Sequence, residues 1–288
     1  LVKCSALPDE INIQNNQQKI TLQVMKDQYN IALVTGAPNY NTKVLKSYFK
    51  KKGNTLVDHY MINSKNFNQK IKSFLEKKYE VIIFDNNPVS SSAKKWDSIT
   101  RLFAKKLLSH NSSFFIVPGP ETEIKSINRY LKIIDLEANQ ISNNASISKK
   151  WEFLNTWNDL SSINQEYQLS SDSYPPQTPI FHLINNFQDQ KIKIYAQYID
   201  SEITNPLLVL GEKQSVRFAV WNSINLSSLK YMLSDSDLDF LFENSLKKIT
   251  NWLMKRNDSS EFIFRTDKNS YQHGESVLLT GVPLDFND

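Results

Sequence analysis

Ile31-Ala32-Leu33-Val34-Thr35-Gly36 is a continuous apolar run that stops at a threonine and a glycine, and two more continuous apolar runs follow it, at Val81–Phe84 and Phe114–Val117. From Thr42 a helical stretch follows, with Val44, Leu45, Tyr48 and Phe49 at helical spacing. Thr55-Leu56-Val57 and Tyr60-Met61-Ile62 form the next extended segment. Asn66–Lys77 is again helical, with Phe67, Ile71, Phe74 and Leu75 on one face. Val81-Ile82-Ile83-Phe84 is a third strand, stopped by Asp85-Asn86-Asn87-Pro88. Trp96–Leu108 carries a helical stripe of Trp96, Ile99, Leu102, Phe103 and Leu107. Phe114-Phe115-Ile116-Val117 is a fourth strand, broken by Pro118-Gly119-Pro120, and Ile124–Ile134 closes the series as a helix. Strands apolar on both faces, alternating with amphipathic helices, specify a mostly parallel sheet covered on both sides.

Right-handed crossovers make a doubly wound, flavodoxin-like α/β order the leading topology. Beyond residue 136 the chain is rich in Asn, Ser and Gln, with Trp151, Phe153, Leu154 and Trp157 marking one packed segment and Tyr174–Pro179 an extended connector. Strands are expected again at Ile192–Ile199, Pro206–Leu210 and Val216–Trp221, the last two joined by a turn at Gly211-Glu212-Lys213-Gln214. Asp237–Lys255 reads as a long amphipathic helix capped by Asp235 or Asp237. The two ends differ. Ile11–Ile13 and Ile20–Val24 alternate with period two around a polar turn at Gln14–Gln18, and Glu261–Arg265 and Ser276–Leu279 read as strands of a small β-unit. Three units are expected: residues 1–27 as the end of a preceding β-domain, 28–258 as the α/β domain and 259–288 as the start of a following β-domain. A chain that lacks an initiating Met and closes soon after a strand-like run is expected to be an excerpt from a longer protein.

Composition narrows the classes. Of 288 residues, 40% are hydrophobic and 11% aromatic, a globular balance that excludes low-complexity disorder. Cys4 is the only cysteine, so a disulfide scaffold is excluded. No apolar run approaches the roughly 20 residues of a membrane helix, and Leu1–Pro8 lacks the features of a signal peptide. The net charge of +4 does not imply nucleic acid, and no nucleic-acid-binding motif is present. The lysines do cluster: ten fall within residues 41–78 against Asp58 and Glu76, as a solvated helical face or a surface for an anionic partner such as lipid headgroups. With six glycines and neither GxGxxG nor GxxxxGK[ST], a phosphate-cradling loop is excluded, and no cofactor is expected.

The order of features resembles the extracytoplasmic part of large bacterial membrane proteins that carry a class I glutamine amidotransferase-like domain between immunoglobulin-like β-domains, often with a von Willebrand type A domain. Asp9-Glu10-Ile11 with Asn15-Asn16 and Ile20–Val24 is similar to the closing hairpin of the preceding β-domain. Ile31–Asn39 followed by Val44-Leu45 is similar to the family's first strand and turn. Tyr271-Gln272-His273-Gly274-Glu275-Ser276-Val277 is similar to the opening of the next β-domain, and Asn205–Val209 with Trp221 match a Pro-Leu strand and a conspicuous Trp. Active members of the amidotransferase class place a nucleophilic Cys in a Gly-x-Cys-x-Gly turn and pair it with a His. The corresponding turn here, Val117-Pro118-Gly119-Pro120-Glu121, contains no Cys, Ser or Thr, so the resemblance implies the fold without the reaction.

Other candidates are weak in sequence. Ser90-Ser91-Ser92 and Ser112-Ser113 lie outside any Gly-x-Ser-x-Gly elbow. Thr122 reads as the cap of the helix at Glu123–Ile134. His59, His110, His182 and His273 show no metal-ligand spacing, and no metal site is expected. Tyr195, Tyr198, Trp221 and Tyr231 are candidates for a carbohydrate-binding surface or for packing. Because ligands of open α/β sheets bind beyond the carboxyl ends of strands, a site would be sought at Thr35, Asn39, Asp85, Asn86, Gly119 and Glu121, with Glu123 nearby. The expected function is non-catalytic interaction or scaffolding in an extracytoplasmic, membrane-anchored protein. Its partners would be other domains of the same polypeptide or an extracytoplasmic complex, with the membrane reached only through segments outside this chain. The alternatives are a small-molecule or carbohydrate sensor and a hydrolase using strand-end carboxylates.

Overall fold

A computed structural model describes residues 2–3, 17–18, 28–141, 147–160, 173–184, 191–199, 205–234, 238–254, 262–266, 276 and 278–283. In chain order these form β1 (Val2–Lys3), β2 (Gln17–Gln18), β3 (Tyr29–Thr35), α1 (Tyr40–Lys51), β4 (Thr55–Met61), α2 (Phe67–Glu76), β5 (Val81–Asp85), α3 (Ala93–His110), β6 (Ser113–Val117), α4 (Ile124–Leu131) and β7 (Glu137–Gln140). They continue with β8 (Trp151–Phe153), β9 (Phe181–Ile184), β10 (Ile192–Tyr198), β11 (Pro206–Lys213), β12 (Val216–Trp221), α5 (Ser228–Tyr231), α6 (Phe240–Leu253), β13 (Phe262–Thr266) and β14 (Leu279–Pro283).

Eight strands make one sheet in the order β4-β3-β5-β6-β12-β11-β10-β8. The first five are parallel neighbours, in the 2-1-3-4-5 order of a flavodoxin-like fold, and β11, β10 and β8 extend the sheet antiparallel. The period-two alternation of each parallel strand divides the core. Ile31 and Leu33 face α1 and α6, packing with Val44, Leu45, Phe242 and Leu246. Ala32 and Val34 face the other side, where Phe67, Phe74, Trp96, Phe103 and Tyr130 of α2, α3 and α4 gather. Phe84 sits at the centre of that second layer, 4.8–5.1 Å from the rings of Trp96, Phe103, Phe114 and Tyr130. Helices on both faces of one sheet are what the continuous apolar strands require.

The structure corrects several local expectations. Gly211, Glu212 and Lys213 lie inside β11, and the hairpin turns at Gln214 and Ser215, both at positive φ (47° and 68°) as a two-residue loop between twisted strands demands. Gly211 serves packing instead, since a Cβ there would stand 2.6 Å from Phe218 Cζ on the paired strand. The helix from Ile124 ends at Leu131, tightens into one 3₁₀ turn at Lys132–Ile134 and is stopped by Asp135 at φ 57°. Helix α6 starts at Phe240, with Asp239 before it making no side-chain cap; Asp235, Asp237 and Lys255 lie outside the described residues. At the N-terminal end, Gln17–Gln18 is not in a turn but pairs antiparallel with Val2–Lys3; Ile11–Ile13 and Ile20–Val24 lie outside the described residues. β13 pairs antiparallel with β14, which begins at Leu279, later than the expected Ser276. Tyr271–Glu275 and Val277 lie outside the described residues.

Candidate functional site

The chain leaves β3 toward β4 on one side and later returns to β5 on the other, so the carboxyl ends of β3 and β5 flank the crevice where connections diverge. Thr35 and Asp85, the last residues of these strands, are register partners. Asp85 is wholly buried. Its Oδ2 accepts hydrogen bonds from Thr35 Oγ1 at 2.8 Å and from Thr42 Oγ1 at 2.6 Å. Thr42 reaches the carboxylate because it lies in the first turn of α1, where it also closes a reciprocal cap with Asn39: Thr42 N donates to Asn39 Oδ1 and Asn39 N to Thr42 Oγ1. Burial pushes the Asp85 carboxyl up to about 6, and the two hydroxyl bonds partly oppose that rise.

His59, on β4, extends this chain outward. Its Nε2 lies 3.0 Å from Thr35 Oγ1. With the Thr35 hydrogen directed to Asp85, the imidazole is assigned as the Nε2–H donor, giving a line from His59 through Thr35 to Asp85. Burial, then the charges of Lys46 and Lys50, hold the His59 imidazole below its usual pKa, so it is neutral at pH 7.

Asn86 and two glycines lock the adjoining loops. Asn86 stands at φ 45° and donates through Nδ2 to Ala37 O and Glu121 Oε2, while its Oδ1 accepts from Glu121 N and Thr122 Oγ1. A Cβ on Gly36 would lie 2.4 Å from Asn86 O, and one on Gly119 2.4 Å from Asn86 Cγ, so both positions exclude any side chain. Thr122 is thereby corrected. It does not cap α4; it accepts from Gly119 N and donates to Asn86, and the cap is Glu123, whose Oε2 accepts from Ser126 N.

The six residues expected at a site, Thr35, Asn39, Asp85, Asn86, Gly119 and Glu121, thus converge at the ends of β3, β5 and β6. Sequence reasoning missed Thr42 and His59 as members. Thr42 carried a signal, a hydroxyl residue three positions after Asn39 at a helix start, whereas His59 comes from a neighbouring strand and carried none. Among the described residues, four buried polar atoms of the cluster have no hydrogen-bond partner: Asp85 Oδ1, both amide atoms of Asn87 and Asn39 Nδ2.

The chemistry open to this arrangement is proton sharing within the His59–Thr35–Asp85 line. Thr35 and Thr42 are buried, and each hydroxyl is turned to Asp85. Glu121 and Glu123 both hold structural hydrogen bonds. Of the serine runs, Ser112 and Ser113 donate to Tyr79 O and Leu253 O and Ser92 to Val89 O, while Ser90 and Ser91 are exposed. The aromatic candidates for a carbohydrate surface divide, with Tyr195, Tyr198 and Trp221 in the core and Tyr231 alone exposed. Among the described residues, no group of three or more His, Cys, Asp or Glu is placed to hold a metal ion, and no helix is long and apolar enough to cross a membrane. Cys4 lies outside the described residues.

No family model matches the chain, and no curated protein matches it. Among solved structures it is similar to a carbohydrate deacetylase, at a TM-score of 0.46 and 10% identity over 79% of this chain; it spans only 32% of that one. It is also similar to a cytoplasmic protein of Salmonella typhimurium LT2, at a TM-score of 0.47 and 11% identity over 76% of this chain and 99% of that one. A third is a protein assigned as a GMP synthase component from Thermoplasma acidophilum, at a TM-score of 0.41 and 10% identity over 78% and 98%. At this distance the likenesses bear on neither substrate nor chemistry.

Proposed function

We propose that this chain is a non-catalytic interaction or scaffolding domain that keeps a glutamine amidotransferase-like architecture without its reaction. The observation that carries the reading is the closure of the switch point by the chain's own side chains. Asp85 is buried beneath Thr35 and Thr42, and Asn86 ties the three strand-end loops together. An acid or nucleophile has to reach its substrate within hydrogen-bonding distance, and the hydroxyls of Thr35 and Thr42 are spent on Oδ2 of the buried Asp85. The extracytoplasmic, membrane-anchored setting with flanking immunoglobulin-like domains is part of the same proposal, and its support is the sequence resemblance at Ile31–Asn39 and Tyr271–Val277.

A small-molecule sensor is the second reading, favoured by one observation: among the described residues Asp85 Oδ1 and both amide atoms of Asn87 are buried without a partner, and such groups are costly unless something satisfies them. A thermal-shift panel of glutamine, nucleotides, sugars, cell-wall fragments and divalent metals separates the two, because a ligand of the folded state raises the melting temperature by mass action. The scaffold reading expects no shift that depends on the cluster. A reproducible shift abolished by Asp85→Asn or Glu121→Ala would overturn it in favour of the sensor, and turnover of any panel compound would overturn both.

A further inference from the structure

Among the described residues, helix α1 carries lysines without an acidic neighbour beside exposed aromatic groups. This helix contains no acidic residue. Tyr40, Lys43, Lys46 and Lys50 follow one another at spacings of three, three and four, which places them along a single stripe. Among the described residues no carboxylate lies within 4.0 Å of any of these three lysines, whereas Lys72, Lys77, Lys132, Lys213 and Lys230 each have an acidic neighbour. The field of the stripe registers inside the protein as well, since Lys46 and Lys50 add to burial in disfavouring a proton on His59.

The N-terminal end of the stripe carries exposed aromatic and apolar groups. Tyr40 is 72% exposed and Met232, just past α5, is 66% exposed. The Tyr40 and Tyr231 rings meet edge to face at 6.2 Å, and Lys43 Nζ lies 5.9 Å from the centre of the Tyr231 ring. Lysine and tyrosine are suited to one environment in particular, the boundary between an anionic headgroup layer and the acyl chains. There the ammonium groups meet lipid phosphates and carboxylates, and phenol rings rest at headgroup depth. An acidic protein partner is the weaker match, because it would answer the lysines and leave Tyr40 and Met232, 72% and 66% exposed, without a counterpart.

We infer that the α1 stripe of Lys43, Lys46 and Lys50, with Tyr40, Tyr231 and Met232 at its end, is a docking surface for an anionic lipid bilayer. The inference names a partner for the interaction reading above and rests on it. It also adds a direct membrane contact to the expectation that the membrane is reached only through segments outside the chain.

Sedimentation of the full 288-residue chain with vesicles tests it. Vesicles of phosphatidylcholine with about 30% phosphatidylserine are expected to bind the chain and pure phosphatidylcholine vesicles to leave it in the supernatant. Binding should fall about tenfold or more in the triple variant Lys43→Gln, Lys46→Gln, Lys50→Gln, and should be largely lost in roughly 0.5 M salt. Tyr40→Ser with Met232→Ser should weaken binding by a smaller factor and leave its salt dependence in place. The melting temperature of each variant is measured alongside, and one that has lost its fold is replaced by the single Lys43→Gln change, whose side chain is exposed. No binding to either vesicle, equal binding to both, or binding unchanged by the lysine substitutions would overturn the inference. Saturable binding to polyglutamate without vesicle binding would overturn it too and transfer the surface to an acidic protein. None of these failures touches the non-catalytic reading, which falls only to a ligand shift that depends on Asp85 or Glu121 or to turnover.

Discussion

Two buried polar clusters lie toward the same end of the sheet, and they are built on different chemistry. The first joins β3, β5 and β6 around an ionisable group, Asp85. The second lies at β12 and the antiparallel extension and is made of amides. Asn222 Nδ2 donates to Phe181 O and Pro206 O, Asn205 Oδ1 accepts from Leu183 N, and Gln177 Nε2 donates to Ser228 Oγ. Among the described residues, the titratable side chain hydrogen-bonded within it is Tyr198, whose phenol donates to Asn222 O and, pushed up by burial, stays neutral across the working range. Asn41 bridges the two, donating to Ile224 O and accepting from Ser227 N. A change of pH therefore acts on one cluster and passes over the other, although both brace loops of the same sheet.

The largest expected effects ignore this distinction. Phe84→Ala and Trp221→Ala each empty a fully buried site and should each cost about 3–5 kcal/mol in denaturant unfolding, at any pH from 5 to 8. Asn86→Ala and Asn222→Ala come next, at about 2–3 kcal/mol apiece, because each leaves several buried partners without a bond. Thr42→Val separates the ionisable cluster from the amide one. Removing a hydroxyl from Asp85 Oδ2 should cost about 1–2 kcal/mol above pH 7, where the carboxylate is charged, and less near pH 4. The smallest effect belongs to the surface. Lys77→Met removes a half-exposed partner of Asp58, and its cost should stay below about 1 kcal/mol and shrink with salt.

The parallel half of the fold was legible because its central strands β3, β5 and β6 carry continuous apolar runs and its helices carry one clear stripe each. Val81–Phe84 with Trp96, Phe103 and Phe114 already contain the second core layer. The extension was less so. Gly211 invites a turn in any sequence reading, and only the paired Phe218 ring reveals that the glycine makes room within a strand. Thr122 was misread for a similar reason: a threonine before a helix is an ordinary cap, and its engagement with Asn86, 36 residues away, has no local trace. The strand-end residues of the cluster were found through the general rule for open α/β sheets. His59 was not, because its contact with Thr35 depends on which strand becomes the neighbour of β3.

Everything proposed for the switch point depends on Asp85 being sealed, and its pH linkage probes that state. With the folded carboxyl raised to about 6 from 3.8, the native state binds the proton more tightly than the unfolded chain. The contribution is fully present below pH 3.8 and is lost as pH rises through 6, a decline of about 3 kcal/mol. Asp85→Asn has no such titration, so the unfolding free energy of the variant minus that of the wild type should rise by about 2.5 kcal/mol between pH 4 and pH 8. A difference that stays flat over that interval would mean the carboxyl titrates as it does in solvent, and the switch point would then be open rather than closed by the chain itself.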